Sequence, residues 1–455
     1  MAEIIKRTFK DEPFWEVWQN WFRHQHTWRT EKTVCVIRGL AGCGKTSFVR
    51  NYFKKRSRLF YFSFSGLEEG LAETLFTEHV TKETGVAVSD WVEAIKTISE
   101  KYRIILFDDI TSISSYKRFP KAFYENMITS IHTRPFVVLV AQPLEDVTGL
   151  ADAYDTNWLD YFSIPEMMKL YPQLSKHDIL GLCTVSGGMP QILKEFDNAL
   201  NFEGNVRKML EPSSVFIRFM PELLEKYVSK PHNYHSILHA IASGNHSISE
   251  IGKFTGFAYN KCDNYLARLI ACRFVEAGTS ESKHGTEKTA YRLTNNYTLL
   301  WYKYIFLHQT ELQLGNPALT ETIIHSILNR EIHTFHLQRA FACVNERIFG
   351  MWAGLEISKT IVRAPKVVKG KNFRYLFDAI EQNGDRAVFI KVFENPAENC
   401  GRLEFGKLRK AAMAVSSYYD SRVFIFTKRR FSDYAVAEAA KDPTISLVEV
   451  DRLRW

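Results

Sequence analysis

Four short apolar runs mark the first 142 residues: TVCVI (33–37), RLFYFSF (58–64), RIILFDDI (103–110) and PFVVLVAQ (135–142). Runs this short, rich in β-branched and aromatic residues, predict strands buried on both faces, as in a parallel sheet. Helical segments separate them. In TSFVRNYFKK (46–55), Phe48, Tyr52 and Phe53 share one side at helical spacing. The order βαβαβαβ predicts an α/β fold, a doubly wound parallel sheet with ligands at the carboxyl ends of its strands.

The pattern then turns helical. DILGLCTVSGGMPQILKEFDNAL (178–200) reads as helix, Ser-Gly-Gly break, Pro and helix, the shape of a small lid over a bound nucleotide. YHSILHAIASG (234–244), ISEIGKFTG (248–256) and YNKCDNYLARLIACRFVEA (259–277) read as three helices, the first two ended by Gly. The polar stretch GTSESKHGTEKT (278–289) is expected to be a turn before the strand AYRLT. Helix, short helix, turn, longer helix and hairpin is winged-helix order. In such folds the longer helix can enter a major groove while the hairpin touches phosphate. Lys261, Arg268 and Arg273 fall on or near that helix, and Lys283, His284 and Lys288 on the wing. Asp263 and the sparseness of the basic residues fit a protein-contact module equally well. TNNYTLLWYKYIF (294–306) is aromatic-rich and reads as a packing helix. Beyond it, YLFDAIEQ and RAVFIKVFE suggest a strand pair, RLEFGKLRKAAMAVSSYY a helix, and RVFIFTK and TISLVEV further strands. Together they predict a small α/β domain.

One motif carries chemistry. Gly39-Leu-Ala-Gly42-Cys43-Gly44-Lys45-Thr46 fits G-x-x-x-x-G-K-[ST], and it follows a strand and opens a helix. The glycines let successive N–H groups turn toward phosphates, and the helix N-terminus adds its positive end. Gly39, Gly42, Cys43, Gly44, Lys45, Thr46 and Ser47 are therefore the candidate nucleotide-binding set. Lys45 suits the β- and γ-phosphates and Thr46 suits Mg²⁺. The apolar strand ending in Asp108-Asp109 supplies the second half. Asp108 would hold the metal through water, and Asp109 would orient or deprotonate the attacking water. A Glu is more usual at that position, and Asp is one methylene shorter, which permits binding with slow hydrolysis. Gln142, at the end of the next strand, is a candidate γ-phosphate sensor. Lys45, Asp109 and Gln142 form the candidate catalytic set. Arg118 and Arg134 are candidates for a trans-acting arginine, and Lys194 for a second sensor. No Asn/Thr-Lys-x-Asp guanine signature is apparent, so ATP with Mg²⁺ is the expected cofactor.

Composition narrows the class. At 455 residues, 45% of them hydrophobic and 24% charged, the chain has the makeup of a soluble protein of two to four domains. No apolar run approaches the roughly 18 residues needed to cross a bilayer. The N-terminal MAEIIKRTFKDEPFWEVW lacks the apolar core of a signal peptide, so a cytoplasmic protein is the expectation. The seven cysteines form no CxxC pair, which argues against a zinc site or a disulfide framework. The net charge is +8, and residues 360–455 hold 18 Lys and Arg against 12 Asp and Glu. A basic segment attracts nucleic acid. A solvated basic surface reads the same way.

Taken together, GLAGCGKT, ILFDD, SGGMP, the YRLTNNYTLLWYKYIF segment and the FD…FIKV stretch resemble the prokaryotic, archaeal-type AAA/STAND-like ATPases with a C-terminal nuclease-like domain. The resemblance spans nearly the full chain. The family's N-terminal Phe-x-Gly-Arg-Glu box is not recognisable in TFKDEPFWEVW. The resemblance implies a P-loop ATPase core (1–165), a helical lid (166–228), a winged helix (229–310) and a restriction-endonuclease-like α/β domain (311–455). It also implies that Asp378 and Lys391 match the Asp and Lys of a PD-(D/E)xK site. The acid two residues before the Lys is Phe389 here, and a helix position that often carries Phe-Glu reads Phe341-Ala342. Glu346 and Glu394 lie nearby. The domain is expected to be a degenerate nuclease fold. Three functions follow as alternatives: a nucleotide-driven protein acting on double-stranded DNA; a slow-hydrolysing ATP switch controlling protein partners or self-assembly; and, least, an active nuclease.

Overall fold

The computed structural model describes residues 34–53, 58–110, 113, 116–128, 135–144, 150, 155–281, 287–332, 367–368, 371–372, 379–383, 386–393, 400–416, 420–427 and 430–449. The chain forms two compact units. One holds residues up to Glu166 together with Met189–Lys194 and Ala271–Arg273; the other holds Met167–Gly188, Glu195–Ile270 and the chain from Phe274 on.

The first unit is built on five parallel strands: β1 (Val34–Arg38), β2 (Leu59–Ser63), β3 (Ile104–Asp108), β4 (Phe136–Ala141) and β5 (Asp155–Trp158), in the spatial order β2-β3-β4-β1-β5. Four of the five are the four apolar runs. The fifth, Asp-Thr-Asn-Trp, has no apolar run to announce it. Among the described residues it is an edge strand paired with β1 alone, so tertiary pairing rather than hydrophobicity makes it a strand.

Because successive side chains alternate across a strand, the sheet sorts its residues by parity. Cys35, Ile37, Ile104, Leu106, Val138 and Val140 face helix α1 (Lys45–Phe53), which buries Phe48, Val49 and Phe53 against them. Val36, Phe60, Phe62, Ile105, Phe107 and Leu139 face α2 (Glu69–Thr84), α3 (Trp91–Lys101) and α4 (Phe119–Phe123). That second face is an aromatic layer, with Trp91 edge-on to Phe119 at 4.8 Å and Phe64 to Phe119 at 5.0 Å. Each such pair adds about 0.5–1.5 kcal/mol beyond area burial. Asp90 starts α3 as an N-cap, its side chain accepting from the Glu93 N–H.

In the second unit, α5 (Lys176–Ser186) ends at Gly187, whose φ of 59° is left-handed. Asn295 sits against it. Its Nδ2 donates to Gly187 O at 2.9 Å, while its Oδ1 accepts from the Tyr297 and Thr298 N–H groups that open the next helix. A Cβ at Gly187 would come within 2.1 Å of Asn295 Oδ1. The Ser-Gly-Gly break and the aromatic segment are therefore two sides of one joint. Tyr297, Trp301 and Tyr302 are fully buried, with Tyr297 Oη donating to Phe216 O and Trp301 Nε1 to Ile217 O, both at 2.9 Å. This is packing, as the segment's pattern predicts.

Helices α6 (Pro231–Ala242), α7 (Ile248–Thr255) and α8 (Tyr259–Ala271) precede a two-stranded antiparallel ribbon, β6 (Val275–Glu281) with β7 (Glu287–Leu293). Of the polar stretch expected to be a turn, residues 278–281 and 287–289 are strand. Farther on come a short ribbon, β8 (Val367–Val368) with β9 (Lys371–Asn372), and a mixed sheet of β10 (Ala379–Asn383), β11 (Arg386–Phe393), β12 (Asp420–Thr427) and β13 (Ile445–Glu449). β10 and β11 are antiparallel; β11, β12 and β13 run parallel. Phe389, Phe405, Leu408, Val423 and Ile425 form its core. Among the described residues no helix is long and apolar enough to cross a membrane.

Candidate functional site

The loop 39–44 joins β1 to α1, and each glycine of the motif has its own physical reason. Gly42 and Gly44 have φ of 79° and 92°, a region that L side chains rarely adopt. Gly39 lies flat against the end of β5, where a Cβ would come 2.5 Å from Leu159 O and 2.9 Å from Cys43 Sγ. Cys43 is buried beneath the loop, and Thr46 and Ser47 are exposed at the start of α1. Phe48 N–H donates to Gly44 O at 2.8 Å. The amides of residues 44–47 therefore belong to the first helical turn, where N–H groups lack an i−4 partner. This is an anion-binding geometry.

Lys45 is only 7% exposed, so its ammonium must be satisfied locally. Nζ donates to Gly39 O at 2.6 Å, to Leu40 O at 3.0 Å and to Gln142 Oε1 at 3.5 Å. β4 lies between β1 and β3. Gln142, one residue past its end, thus stands between the loop and the acids. Arg38, the last residue of β1, donates from NH1 to Gln142 O at 3.2 Å and Pro143 O at 3.4 Å. It holds the chain there, a role the sequence marks only by its place before Gly39.

Asp108 shares the parity of Ile104 and Leu106, so it lies on the α1 face of the sheet, on the side of Thr46. It is 3% exposed, and its Oδ2 accepts from Tyr61 Oη at 2.9 Å. Burial and then the Asp108 carboxylate push the Tyr61 hydroxyl well above its ordinary pKa, so it donates at any physiological pH. Asp109 follows the strand with φ 49°, left-handed for a non-glycine residue. The regular alternation of β3 therefore ends at Asp109.

Magnesium prefers oxygen ligands and keeps several waters. Thr46 and Asp108 offer one hydroxyl and one carboxylate on the same sheet face, which fits an ion completed by phosphate oxygens and water. Among the described residues no group of three His, Cys, Asp or Glu forms a metal cluster of its own.

The remaining candidates are dispersed. Arg118 is paired with Glu73, and Arg134 lies outside the described residues. Lys194 Nζ donates to Gln191 Oε1 at 3.5 Å. Arg268 donates to Tyr227 O from Nε and NH2 at 3.3 and 2.9 Å. Lys261 stands 3.9 Å over the Phe257 ring. Arg273 stacks on Trp158 at 3.8 Å, with Asp160 at 3.7 Å. Lys283 and His284, and the side chain of Lys288, lie outside the described residues.

The same holds for Asp378, Phe341, Ala342, Glu346 and Glu394. Lys391 is half-buried on β11, between Phe389 and Phe393 on the same strand face, its Nζ 5.9 Å from the Phe393 ring. Phe389 is fully buried in the core, where a carboxylate would be desolvated. The six described cysteines are buried; Cys343 lies outside the described residues.

No protein-family profile matches the sequence. The chain is 22% identical over 297 residues to an uncharacterized protein of Methanocaldococcus jannaschii, a match spanning 62% of this chain and 66% of that relative's length. Among solved structures it is similar to a Walker-type ATPase of Pyrococcus abyssi, at 13% identity over 66% of this chain and 100% of that one, with a TM-score of 0.46. It is also similar to the Aeropyrum pernix Orc1 protein in complex with DNA, at 12% identity over 69% and 92%, TM-score 0.30. AMPPCP-bound DnaA from Aquifex aeolicus shares 15% identity over 59% and 90%, TM-score 0.32. All three TM-scores fall below 0.5, so the chain's own geometry has to carry its function.

Proposed function

We propose that this chain is a P-loop ATPase that binds ATP with Mg²⁺ in the loop between β1 and α1. The observation behind the reading is the convergence of four features at the carboxyl ends of adjacent strands: a three-glycine loop, buried Lys45, Gln142 and Asp108. Backbone N–H groups of the loop and of the first turn of α1 cradle the phosphates. Lys45 neutralises charge on the β- and γ-phosphates. Thr46 and Asp108 hold the metal, which when bound draws charge from the phosphate oxygens. Gln142 contacts the γ-phosphate, and Asp109 orients the attacking water.

Two uses of that nucleotide remain in competition. The basic excess in residues 360–455 and the helix-plus-ribbon module favour an ATPase acting on double-stranded DNA, with the module as a winged helix. The short Asp109, and the engagement of Arg268 and Arg273 within the chain, favour a slow-turnover switch that controls protein partners or self-association. We read the C-terminal sheet as a nuclease-like fold without nuclease chemistry. Turnover with and without duplex DNA, beside the Lys45→Ala variant, separates these readings. Stimulation by DNA that Lys45→Ala abolishes supports the first. Tight binding with little turnover and no DNA effect supports the second. Normal ATP binding and hydrolysis by Lys45→Ala refutes the site itself.

A further inference from the structure

Tyr61 is a residue that no motif assigns, yet it makes a side-chain contact to the metal-side carboxylate. Its place follows from register. In the parallel pair β2–β3, Tyr61 is opposite Leu106 and Ser63 is opposite Asp108. Tyr61 and Asp108 are therefore two residues out of step and on the same sheet face, where a long phenol spans the gap. Its hydroxyl donates to Asp108 Oδ2 at 2.9 Å. The ring is held from the helix side by Arg50 of α1, whose guanidinium carbon lies 5.1 Å from the ring centroid. Three elements thus fix one carboxylate: the helix that follows the loop, the neighbouring strand, and β3 itself.

We propose that Tyr61 is the positioning residue of the metal-side carboxylate, holding Asp108 through Oδ2 so that Oδ1 is the oxygen offered to a metal-bound water. The inference rests on the ATPase reading and deepens it. A carboxylate with both oxygens unconstrained can rotate about χ2. A carboxylate pinned at one oxygen has its other oxygen placed in advance, and partners of this kind commonly change metal affinity by about 10–100-fold. Tyr61 acts only through Asp108 and touches no phosphate.

The test uses the full chain and a fluorescent ATP analogue, titrated first in EDTA and then against Mg²⁺. Tyr61→Phe keeps the ring and its contact with Arg50 and removes only the hydroxyl. The expected result is unchanged affinity in EDTA and an Mg²⁺ half-saturation raised about 10-fold or more. Mn²⁺ binding followed by electron paramagnetic resonance gives the same comparison without turnover. Asp108→Asn supplies the second background. If Tyr61 works through Asp108, adding Tyr61→Phe to Asp108→Asn causes no further shift. An unchanged Mg²⁺ dependence in Tyr61→Phe overturns the proposal and leaves the nucleotide site intact, as does an equal shift in both backgrounds. Failure of the wild-type chain to bind the analogue at all overturns the ATPase reading, and this inference with it.

Discussion

Replacing Gly39 by Ala tests whether the loop is closed against β5. The new Cβ would stand 2.5 Å from Leu159 O and 2.9 Å from Cys43 Sγ. Leu159 O is a backbone atom, and its residue is pinned by the hydrogen bond from Leu159 N–H to Arg38 O at 2.7 Å. Cys43 is 2% exposed and has little room to turn away. Either the end of β5 or the loop must move, and forced overpacking of this kind costs about 1–3 kcal/mol. For a unit of roughly 150–250 residues, each kcal/mol lowers Tm by about 2–4 °C. The transition to follow in a thermal scan is the one that nucleotide shifts, because two compact units need not unfold together. A Gly39→Ala/Cys43→Ala double variant removes the sulfur contact and leaves the 2.5 Å clash, so its rescue is partial. Gly70→Ala is the control. A Cβ there meets nothing within 4 Å, and Ala in a helix gains up to about 1 kcal/mol over Gly. A Gly39→Ala protein that melts with the wild type and binds ATP equally well would refute the closed loop.

Asp109 and His235 give two more tests. Asp109 holds φ 49°, which Gly adopts readily, so Asp109→Gly keeps the turn and should reduce turnover; Asp109→Glu, longer by one methylene, should raise kcat. A Glu variant no faster than wild type removes side-chain length at this position as a limit on turnover. Burial, and then the neighbouring His232 charge, lower the pKa of His235 to about 4. The unfolded chain then binds a proton that the folded chain refuses, so this contribution is full above about pH 6.5 and is lost as pH falls toward 4. Its size is at most about 3 kcal/mol, and less because the ring is not fully buried. Denaturation of wild type and His235→Phe across that range measures it, and equal slopes would exclude the residue.

The sheet and its loop were legible because their signals are local. An apolar run four to six residues long, a glycine spacing and a terminal acid each act within a few residues of chain. β5 was not legible. Its Asp-Thr-Asn carries no hydrophobic signal, and its strand form comes from pairing with β1, more than a hundred residues away. In the ribbon β6–β7 the AYRLT end was legible as strand, whereas the polar residues 278–281 and 287–289 carry no hydrophobic signal and take strand form by pairing with each other. Parity groups Leu59, Tyr61 and Ser63 on one face of β2, and Ile104, Leu106 and Asp108 on one face of β3. The parallel register that brings the phenol to the carboxylate is not written in either segment. Asn295 and Gly187 were each inside a quoted motif, and only the fold shows that they touch.

Gln142 gains a more definite role from the partners of Lys45. An ammonium has three donors. Two of those of Lys45 go to loop carbonyls at 2.6 and 3.0 Å, and the contact to Gln142 Oε1 is the longest, at 3.5 Å. Hydrogen bonds weaken as they lengthen toward this limit. In the ATPase reading, a phosphate oxygen arriving beside Lys45 therefore displaces the Gln142 contact at the least cost and leaves the loop carbonyls engaged. Arg38 keeps the Gln142 backbone in place while its side chain changes partner. On that reading, such an exchange carries the γ-phosphate contact to the end of β4.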